Sequence, residues 1–183
     1  MELCIDRFDS VLGEILLVSD GKRLCALDYA DYENRMMILL RRHYPKLQLR
    51  EASDPQGFTS LLGAYFAGDL GCIDRIPVNT RGTAFQQQVW SALRTIPPGT
   101  ALTYGELAAQ LGKPTAYRAV GMTNALNPIA IVVPCHRLVG VNGALTGYAG
   151  GLERKRWLLQ HEGVCVSGVM VLQSAQSEGS WLQ

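Results

Sequence analysis

Apolar and polar positions alternate with a short period at the start of the chain. Between residues 3 and 29, apolar stretches are separated by turn signals at Asp9-Ser10, Gly13 and Asp20-Gly21. Short apolar stretches bounded by such residues are typical of strands joined by tight turns. The pattern therefore predicts an antiparallel meander of three strands.

Helical spacing follows the meander. One helix is predicted from Glu33 to Tyr44, ending before Pro45, and a second from Thr59 to Ala67. Residues Ile73 to Val78 are predicted to return as a strand. This part of the chain shows no catalytic constellation, and we interpret it as a scaffold.

The second half of the chain carries two capping-box spacings. Thr83 is followed three residues later by Gln86, and Thr103 by Glu106, so each threonine is expected to start a helix. A third helix is predicted over residues 115–125. Two short helices joined by a glycine-containing turn form a helix-turn-helix, which is a common nucleic-acid-binding unit.

A run of five apolar residues, 129–133, leads directly to Pro134-Cys135-His136-Arg137. The run is short, mostly β-branched and bounded by prolines, which predicts a fully buried strand that stops pairing at Pro134. Cys135 is then expected at the mouth of a pocket. The alternative is that Cys135 is simply a small core residue, the usual place of a free cysteine.

Length and charge suggest two domains with different tasks. The 183 residues can form two small domains, and we place the boundary at 80/81, with a scaffold at 1–80 and a functional domain at 81–183. The chain has a formal net charge of +1. Residues 1–80 carry a net charge of −3 and residues 81–163 a net charge of +5. A basic second half is compatible with salt-sensitive DNA binding.

The five cysteines are odd in number and unpatterned, so no structural disulfide is expected. The first residues lack a basic lead and a long apolar run, and no later stretch approaches the length of a membrane span. We therefore expect a soluble cytoplasmic protein without membrane contact, associated with the nucleoid if its source is bacterial.

From Phe85 to Gly163 the chain resembles the O6-alkylguanine-DNA alkyltransferases, and the N-terminal third resembles their companion domain more weakly. The motifs that carry the resemblance occur in the family's order and are RAVG, NP, PCHR, TGYAGG and KRWLLQHEG. The resemblance implies an α/β (α+β) protein. Its N-terminal domain would be ribonuclease-H-like, a small antiparallel sheet with helices, and its C-terminal domain helix-turn-helix/winged-helix-like.

The same resemblance implies the reacting residues. Cys135 matches the alkyl acceptor, and His136 matches the base that reaches the thiol through a bridging water. Glu162 matches the carboxylate behind the histidine, an arrangement that follows the logic of a nucleophile–base–orienter triad. Tyr104 matches the tyrosine that crowds the target phosphate and protonates the departing base.

Four positions are implied in DNA contact: Arg118, Ala119, Thr115 and Tyr104. Arg118 matches the side chain that fills the base stack after the damaged guanine is extruded. The helix after Gly112 presents a set of small residues, namely Ala116, Ala119, Gly121, Thr123 and Ala125. Such a helix fits the narrow minor groove, although close packing inside the domain explains small residues equally well.

The remaining implied positions form the guanine pocket. Asn127 ties the turn before the acceptor cysteine, and Tyr148 lies against the base. The backbone N–H of Ala149 points at the guanine oxygen, and Gly150 is the next residue of the same pocket loop. The backbone carbonyls of Cys135 and Leu138 accept from the exocyclic amine.

The implied function is repair of O6-alkylguanine, with O4-alkylthymine left open, by one irreversible transfer per molecule, since a thioether has no easy leaving path. The partner is double-stranded DNA, bound by a monomer, with cooperative binding left open.

No cofactor is expected, because the lesion is the donor. Some family members bind zinc in the N-terminal domain through cysteines and histidines. Cys4 and Cys25 could lie close together here, but His43 is the only histidine outside the catalytic domain, so no metal is expected. Two rival interpretations remain: a Cys-His hydrolase and a non-enzymatic DNA-binding sensor.

Overall fold

A computed structural model describes residues 1–172 of the chain. Its N-terminal part contains the predicted meander, formed by β1 (Glu2–Ser10), β2 (Gly13–Ser19) and β3 (Leu24–Tyr29). A fourth strand, β4 (Gln48–Glu51), pairs parallel to β1 and gives the sheet order β3-β2-β1-β4. This strand escaped prediction because it is four residues long and mostly exposed, so it shows no alternation of burial.

The two predicted helices of this part are confirmed as α1 (Glu33–His43) and α2 (Phe58–Phe66). They bury apolar side chains in two separate clusters that share the sheet: Met36 of α1 lies in one, and Leu62 of α2 lies in the other. The strand predicted at 73–78 is wrong. Residues Cys72–Arg75 form a 3₁₀ turn, and only Val78 bridges to Leu24, beside Pro77, which has no N–H to extend a ladder.

The three helices predicted in the second half are present as α3 (Ala84–Leu93), α4 (Tyr104–Gln110) and α5 (Tyr117–Ala125). A fourth helix, α6 (Leu152–His161), was not predicted. The short strands β5 (Leu102–Thr103) and β6 (Leu138–Val139) pair in parallel, and β7 (Val166–Ser167) forms a hairpin with β8 (Met170–Val171). Both capping boxes are present, at Thr83 with Gln86 and at Thr103 with Glu106. The helix-turn-helix consists of α4, a 3₁₀ turn at Pro114–Ala116, and α5.

The apolar run 129–133 is buried, as predicted, but it is not a strand. Ile129 bridges to Leu27 of β3, and the chain then turns back on itself through local hydrogen bonds, such as Val133 N to Ile129 O at 3.0 Å. Ile131 has a φ of 67°, which a β-branched residue rarely adopts. Burial in a sheet and burial in a compact turn produce the same apolar pattern, so the sequence could not separate them.

One buried cluster contains side chains from both halves of the chain, including Leu27 and Tyr65 from the first and Trp90 and Val133 from the second. The edge of β3 also takes part, because Leu27 N donates to Pro128 O at 3.0 Å and Ala130 N donates to Leu27 O at 2.9 Å. The segment that precedes Cys135 is therefore fixed to the N-terminal sheet. No helix among residues 1–172 has the length and apolarity needed to cross a membrane.

Candidate active site

Cys135 is the first residue of a 3₁₀ turn, Cys135–Arg137, and not the end of a strand as predicted. Its side chain is 4% exposed, and it contributes to the wall of a cleft of about 340 Å³. Other residues lining this cleft are Arg35, Tyr104, Asn124, Tyr148 and Ala149. A thiol at the wall of a cleft is within reach of a bound molecule while being shielded from bulk water.

Burial raises the pKa of the Cys135 thiol, an effect that Asn127, Lys155 and Arg35 oppose only in part. The thiolate is the nucleophilic form of cysteine, so a buried thiol at neutral pH needs a base to take its proton. The nearest candidate in sequence is His136.

His136 is fully buried, and its Nε2 lies 2.8 Å from Glu162 Oε1. Burial lowers the pKa of His136 despite the neighbouring carboxylate, which favours a neutral ring. Because an ionised carboxylate can only accept, Nε2 carries the proton and Nδ1 has a free lone pair. Nδ1 is buried and has no hydrogen-bond partner among the described residues. The ring is therefore set up to accept a proton at Nδ1.

Glu162 accepts hydrogen bonds from two residues that had no assigned role in the sequence analysis. Arg137 donates from Nε to Oε2 and from Nη2 to Oε1, both at 2.9 Å. Tyr65, 97 residues away, donates to Oε1 at 2.7 Å. Burial alone would raise the pKa of Glu162, but His136 and Arg137 outweigh it and hold that pKa well below the usual range. The scaffold interpretation of residues 1–80 thus needs correction, because Tyr65 takes part in this network.

Asn127 braces the turn that leads to Cys135, as the resemblance implied. Its Nδ2 donates to Val133 O at 2.8 Å, and its Oδ1 accepts from Ile129 N at 3.0 Å. These two bonds close the compact turn around Ile131. The side chain thereby supports a backbone that local preference alone would not maintain.

The opposite wall of the cleft is the loop containing Tyr148, Ala149 and Gly150. Tyr148 Oη lies 3.3 Å from Tyr29 Oη, and burial raises the pKa of Tyr148 well above its usual value. A Cβ on Gly150 would approach the Tyr29 ring to 2.5 Å, so only glycine fits there. The N-terminal sheet therefore sets the position of this loop through Tyr29.

Lys155 ties the two walls together and was missed by the sequence analysis. The side chain is completely buried, and its ammonium donates to the carbonyls of Leu138, Thr146 at 2.7 Å and Gly147 at 3.4 Å. Burial lowers the pKa of Lys155 to about 8. The lysine thus links the loop after Cys135 to the loop before Tyr148.

Arg35 is a third contribution from the N-terminal half, after Tyr65 and Tyr29. It pairs with the buried Asp28 at 2.6 Å and donates to the carbonyls of Ala125 at 2.6 Å and Asn127 at 3.1 Å. These are the last residue of α5 and the start of the braced turn. Arg35 therefore fixes the C-terminal end of α5 relative to the sheet.

The outer face of α5 and the turn before it are exposed at Thr115, Arg118 and Ala119. The Arg118 guanidinium lies 5.5 Å from the centre of the Tyr117 ring. Thr123 was grouped with the small residues of this face, but it is buried and faces the domain interior. The exposed strip is consequently narrower than the sequence analysis assumed.

Tyr104 begins α4 and is half-buried at the rim of the cleft. Its hydroxyl donates to Thr146 O at 3.4 Å, and burial raises its pKa. A protonated phenol at the rim can donate to a bound base. Among residues 1–172, no group of three or more His, Cys, Asp or Glu side chains is arranged to hold a metal ion.

Two family models match the chain. Residues 84–164 match the DNA-binding domain of 6-O-methylguanine DNA methyltransferase, and residues 6–80 match the ribonuclease-like domain of the same protein. The methylated-DNA–protein-cysteine methyltransferase of Shigella flexneri is 49% identical over 166 residues, which cover 89% of this chain and 97% of that protein. The protein with the same name from Mycobacterium tuberculosis H37Rv is 45% identical over 157 residues, covering 84% and 88% of the two chains.

Solved structures agree with the sequence matches. The crystal structure of M. tuberculosis O6-methylguanine methyltransferase has a TM-score of 0.72 at 42% identity and covers 87% of this chain and 92% of its own. A structure of the M. tuberculosis protein in complex with DNA has a TM-score of 0.72 at 40% identity, covering 88% and 92%. The O6-methylguanine-DNA methyltransferase of Pyrococcus kodakaraensis reaches 0.67 at 26% identity, covering 88% and 99%.

Proposed function

Because the chain belongs to the O6-alkylguanine-DNA alkyltransferase family, we propose that Cys135 is its alkyl acceptor and that His136 and Glu162 activate it. The protein is a DNA-repair methyltransferase that transfers an alkyl group from DNA to a cysteine. One observation carries the assignment of residues: an ionised Glu162 accepts from Nε2 of a neutral His136, which lies in the same turn as Cys135 and whose Nδ1 has no partner among residues 1–172.

The proposed reaction starts with a proton leaving the Cys135 thiol for His136 Nδ1 through a bridging water. The sulfur attacks the alkyl carbon, so an S–C bond forms as the bond from carbon to O6 breaks. The electron pair of that bond moves into the guanine ring, and Tyr104 supplies a proton to a ring nitrogen. No redox step is involved. The thioether product has no leaving path, so the acceptor is consumed.

We propose that the DNA partner is a duplex with an alkylated guanine, bound by a monomer through the minor groove. The minor groove is about 6 Å wide and favours the small exposed residues of α5, such as Ala119. Arg118 would fill the gap that the extruded base leaves, since a guanidinium plane can stack on bases while remaining charged. Thr115, in the 3₁₀ turn just before α5, would contact the DNA backbone.

The proposed domains are 1–80, a scaffold that also supplies Tyr65 to the Glu162 network, and 81–183, which binds DNA and carries the acceptor. Residues 173–183 lie outside the described part. We assign the binding pocket for the flipped guanine to four residues, Leu138, Tyr148, Ala149 and Gly150. Since the substrate is genomic DNA, we also propose a cytoplasmic or nucleoid location.

Incubation with a duplex containing O6-methylguanine tests the proposal. We expect one methyl group per protein molecule at most, with the modification mapped by mass spectrometry to the peptide that contains Cys135. The expected ceiling follows from thioether chemistry. Sustained turnover under lesion excess would favour a Cys-His hydrolase, and duplex binding without any transfer would favour a sensor.

As the pH is lowered, the transfer rate is expected to stay constant past the ordinary histidine pKa of about 6.5 and to fall only at more acidic pH. The reason is that burial lowers the pKa of His136, and only the neutral ring can accept the thiol proton. The rate of transfer from free O6-benzylguanine, measured from pH 5 to pH 8, checks this. His43→Gln, outside the cleft that contains Cys135, should leave the acid limb unchanged, whereas an acid limb centred above about 6.5 would contradict the role of His136.

A further inference from the structure

Asn124 is a buried polar residue on α5 that the reaction described so far does not use. Its side chain belongs to the same cleft wall as Cys135 and Tyr104, and the residue is 5% exposed. Its Nδ2 donates to the backbone carbonyl of Cys135 at 3.2 Å. Its Oδ1 is buried and has no hydrogen-bond partner among the described residues.

An unpaired buried acceptor destabilises a fold, and such groups are rare in native proteins. A leucine is close in size to asparagine, suits a helix interior better and carries no Oδ1 to be orphaned. For folding, Asn124 supplies only one hydrogen bond from its side chain among the described residues, to a Cys135 carbonyl that already accepts from Leu138 N. The reason has to lie in its NH₂ group, which faces the reacting residues.

The NH₂ group has two N–H donors, and the Cys135 carbonyl takes only one of them. The second donor has no partner among the described residues, and Tyr104 lines the same cleft. Burial raises the pKa of Tyr104, and hydrogen bonding with Thr146 and, more weakly, with Asn124 opposes the rise. A phenol whose oxygen accepts from Asn124 can still turn its O–H from Thr146 O, 3.4 Å away, to a bound base.

We propose that Asn124 is a positioning residue for alkyl transfer. Its NH₂ group bridges the Cys135 carbonyl and the Tyr104 oxygen, which fixes the acceptor turn relative to the proton donor and directs the Tyr104 O–H toward the bound base. As the base takes this proton, the same N–H stabilises the phenolate that forms. The inference rests on the proposed function, because it assigns Tyr104 as the proton donor.

The test measures the transfer rate from free O6-benzylguanine and from duplex O6-methylguanine, together with the melting temperature. The variants are Asn124→Leu, Asn124→Ala, Tyr104→Phe and the double variant Asn124→Leu/Tyr104→Phe. Thr123→Val is the matched control, since Thr123 is the neighbouring buried polar residue of α5 and faces the interior. Its transfer rate should equal that of the unchanged protein.

We expect Asn124→Leu to slow transfer about tenfold from both donors, the size of effect associated with one hydrogen bond to a developing charge. Its melting temperature should be unchanged or higher, because the orphaned acceptor is gone. Asn124→Ala removes the same donor without adding a branched side chain and should slow transfer equally. In the Tyr104→Phe background, the leucine substitution should have less than about twofold effect, because the partner is already missing.

Three results would overturn the inference. They are an unchanged transfer rate in both Asn124 variants, a full tenfold loss on top of Tyr104→Phe, and a fall in melting temperature that accounts for the slower transfer. Absence of transfer in the unchanged protein is a separate result, which overturns the proposed function itself.

Discussion

Cys135→Ala is expected to abolish alkyl transfer completely while leaving duplex affinity within about twofold of the unchanged protein. The Cys135 sulfur is the protein atom that forms the new bond to the alkyl carbon, and an alanine side chain has no nucleophile. The side chain is 4% exposed, so it contributes little to a DNA interface. Mass spectrometry of the protein after incubation with O6-methylguanine duplex measures transfer, and a salt-controlled binding titration measures affinity.

Cys72→Ala is the matched control for this prediction. Cys72 is also buried, but it lies in the N-terminal half, where its thiol donates to Leu61 O at 2.9 Å. This variant should transfer one methyl group like the unchanged protein. Methylation that persists in Cys135→Ala, or that maps to another cysteine, would show that the acceptor has been misassigned.

Arg118→Ala is expected to slow repair in duplex DNA about 100-fold while changing transfer from free O6-benzylguanine less than about twofold. Extruding a base costs a few kcal/mol, and a side chain that fills the gap recovers part of this cost. A free base needs no extrusion. Single-turnover rates on both donors check the prediction, and lesions in single-stranded or mismatched DNA should rescue much of the loss.

Lys113→Ala is the control that distinguishes insertion of a side chain into the base stack from an ordinary contact between a cation and a DNA phosphate. Lys113 is an exposed cation in the turn of the helix-turn-helix, with its ammonium 5.0 Å from the centre of the Phe85 ring. If it meets a phosphate, its loss should weaken duplex binding and reduce the salt slope by about one, without selectivity among the donors. Equal slowing of Arg118→Ala on duplex, single strand and free base would assign Arg118 a structural role.

Local chemistry made several elements predictable from the sequence. The meander at 3–29 is specified by turn residues within a few positions of each strand, and the two capping boxes are formed by Thr83 and Thr103 with side chains three residues away. The family of the chain was likewise accessible, because its motifs are continuous stretches such as PCHR. The roles of the individual motif residues, including Asn127 and Tyr148, stay proposals that the variants above test.

Longer-range features were decided only by the tertiary structure. The run 129–133 is equally apolar as a strand or as a compact turn, and the choice depends on Asn127 and on pairing with Leu27, 102 residues before Ile129. Glu162 is recognisable in its motif, but its lowered pKa depends on His136 and Arg137, and its Oε1 also accepts from Tyr65 in the other half of the chain. The roles of Lys155 and Asn124 depend on hydrogen bonds that they donate to backbone carbonyl groups. Every residue has such a carbonyl, so no sequence pattern identifies the ones that are bound. Electrostatic and hydrogen-bond energies depend on distance and burial, and folding alone brings groups so far apart in sequence to within 3 Å.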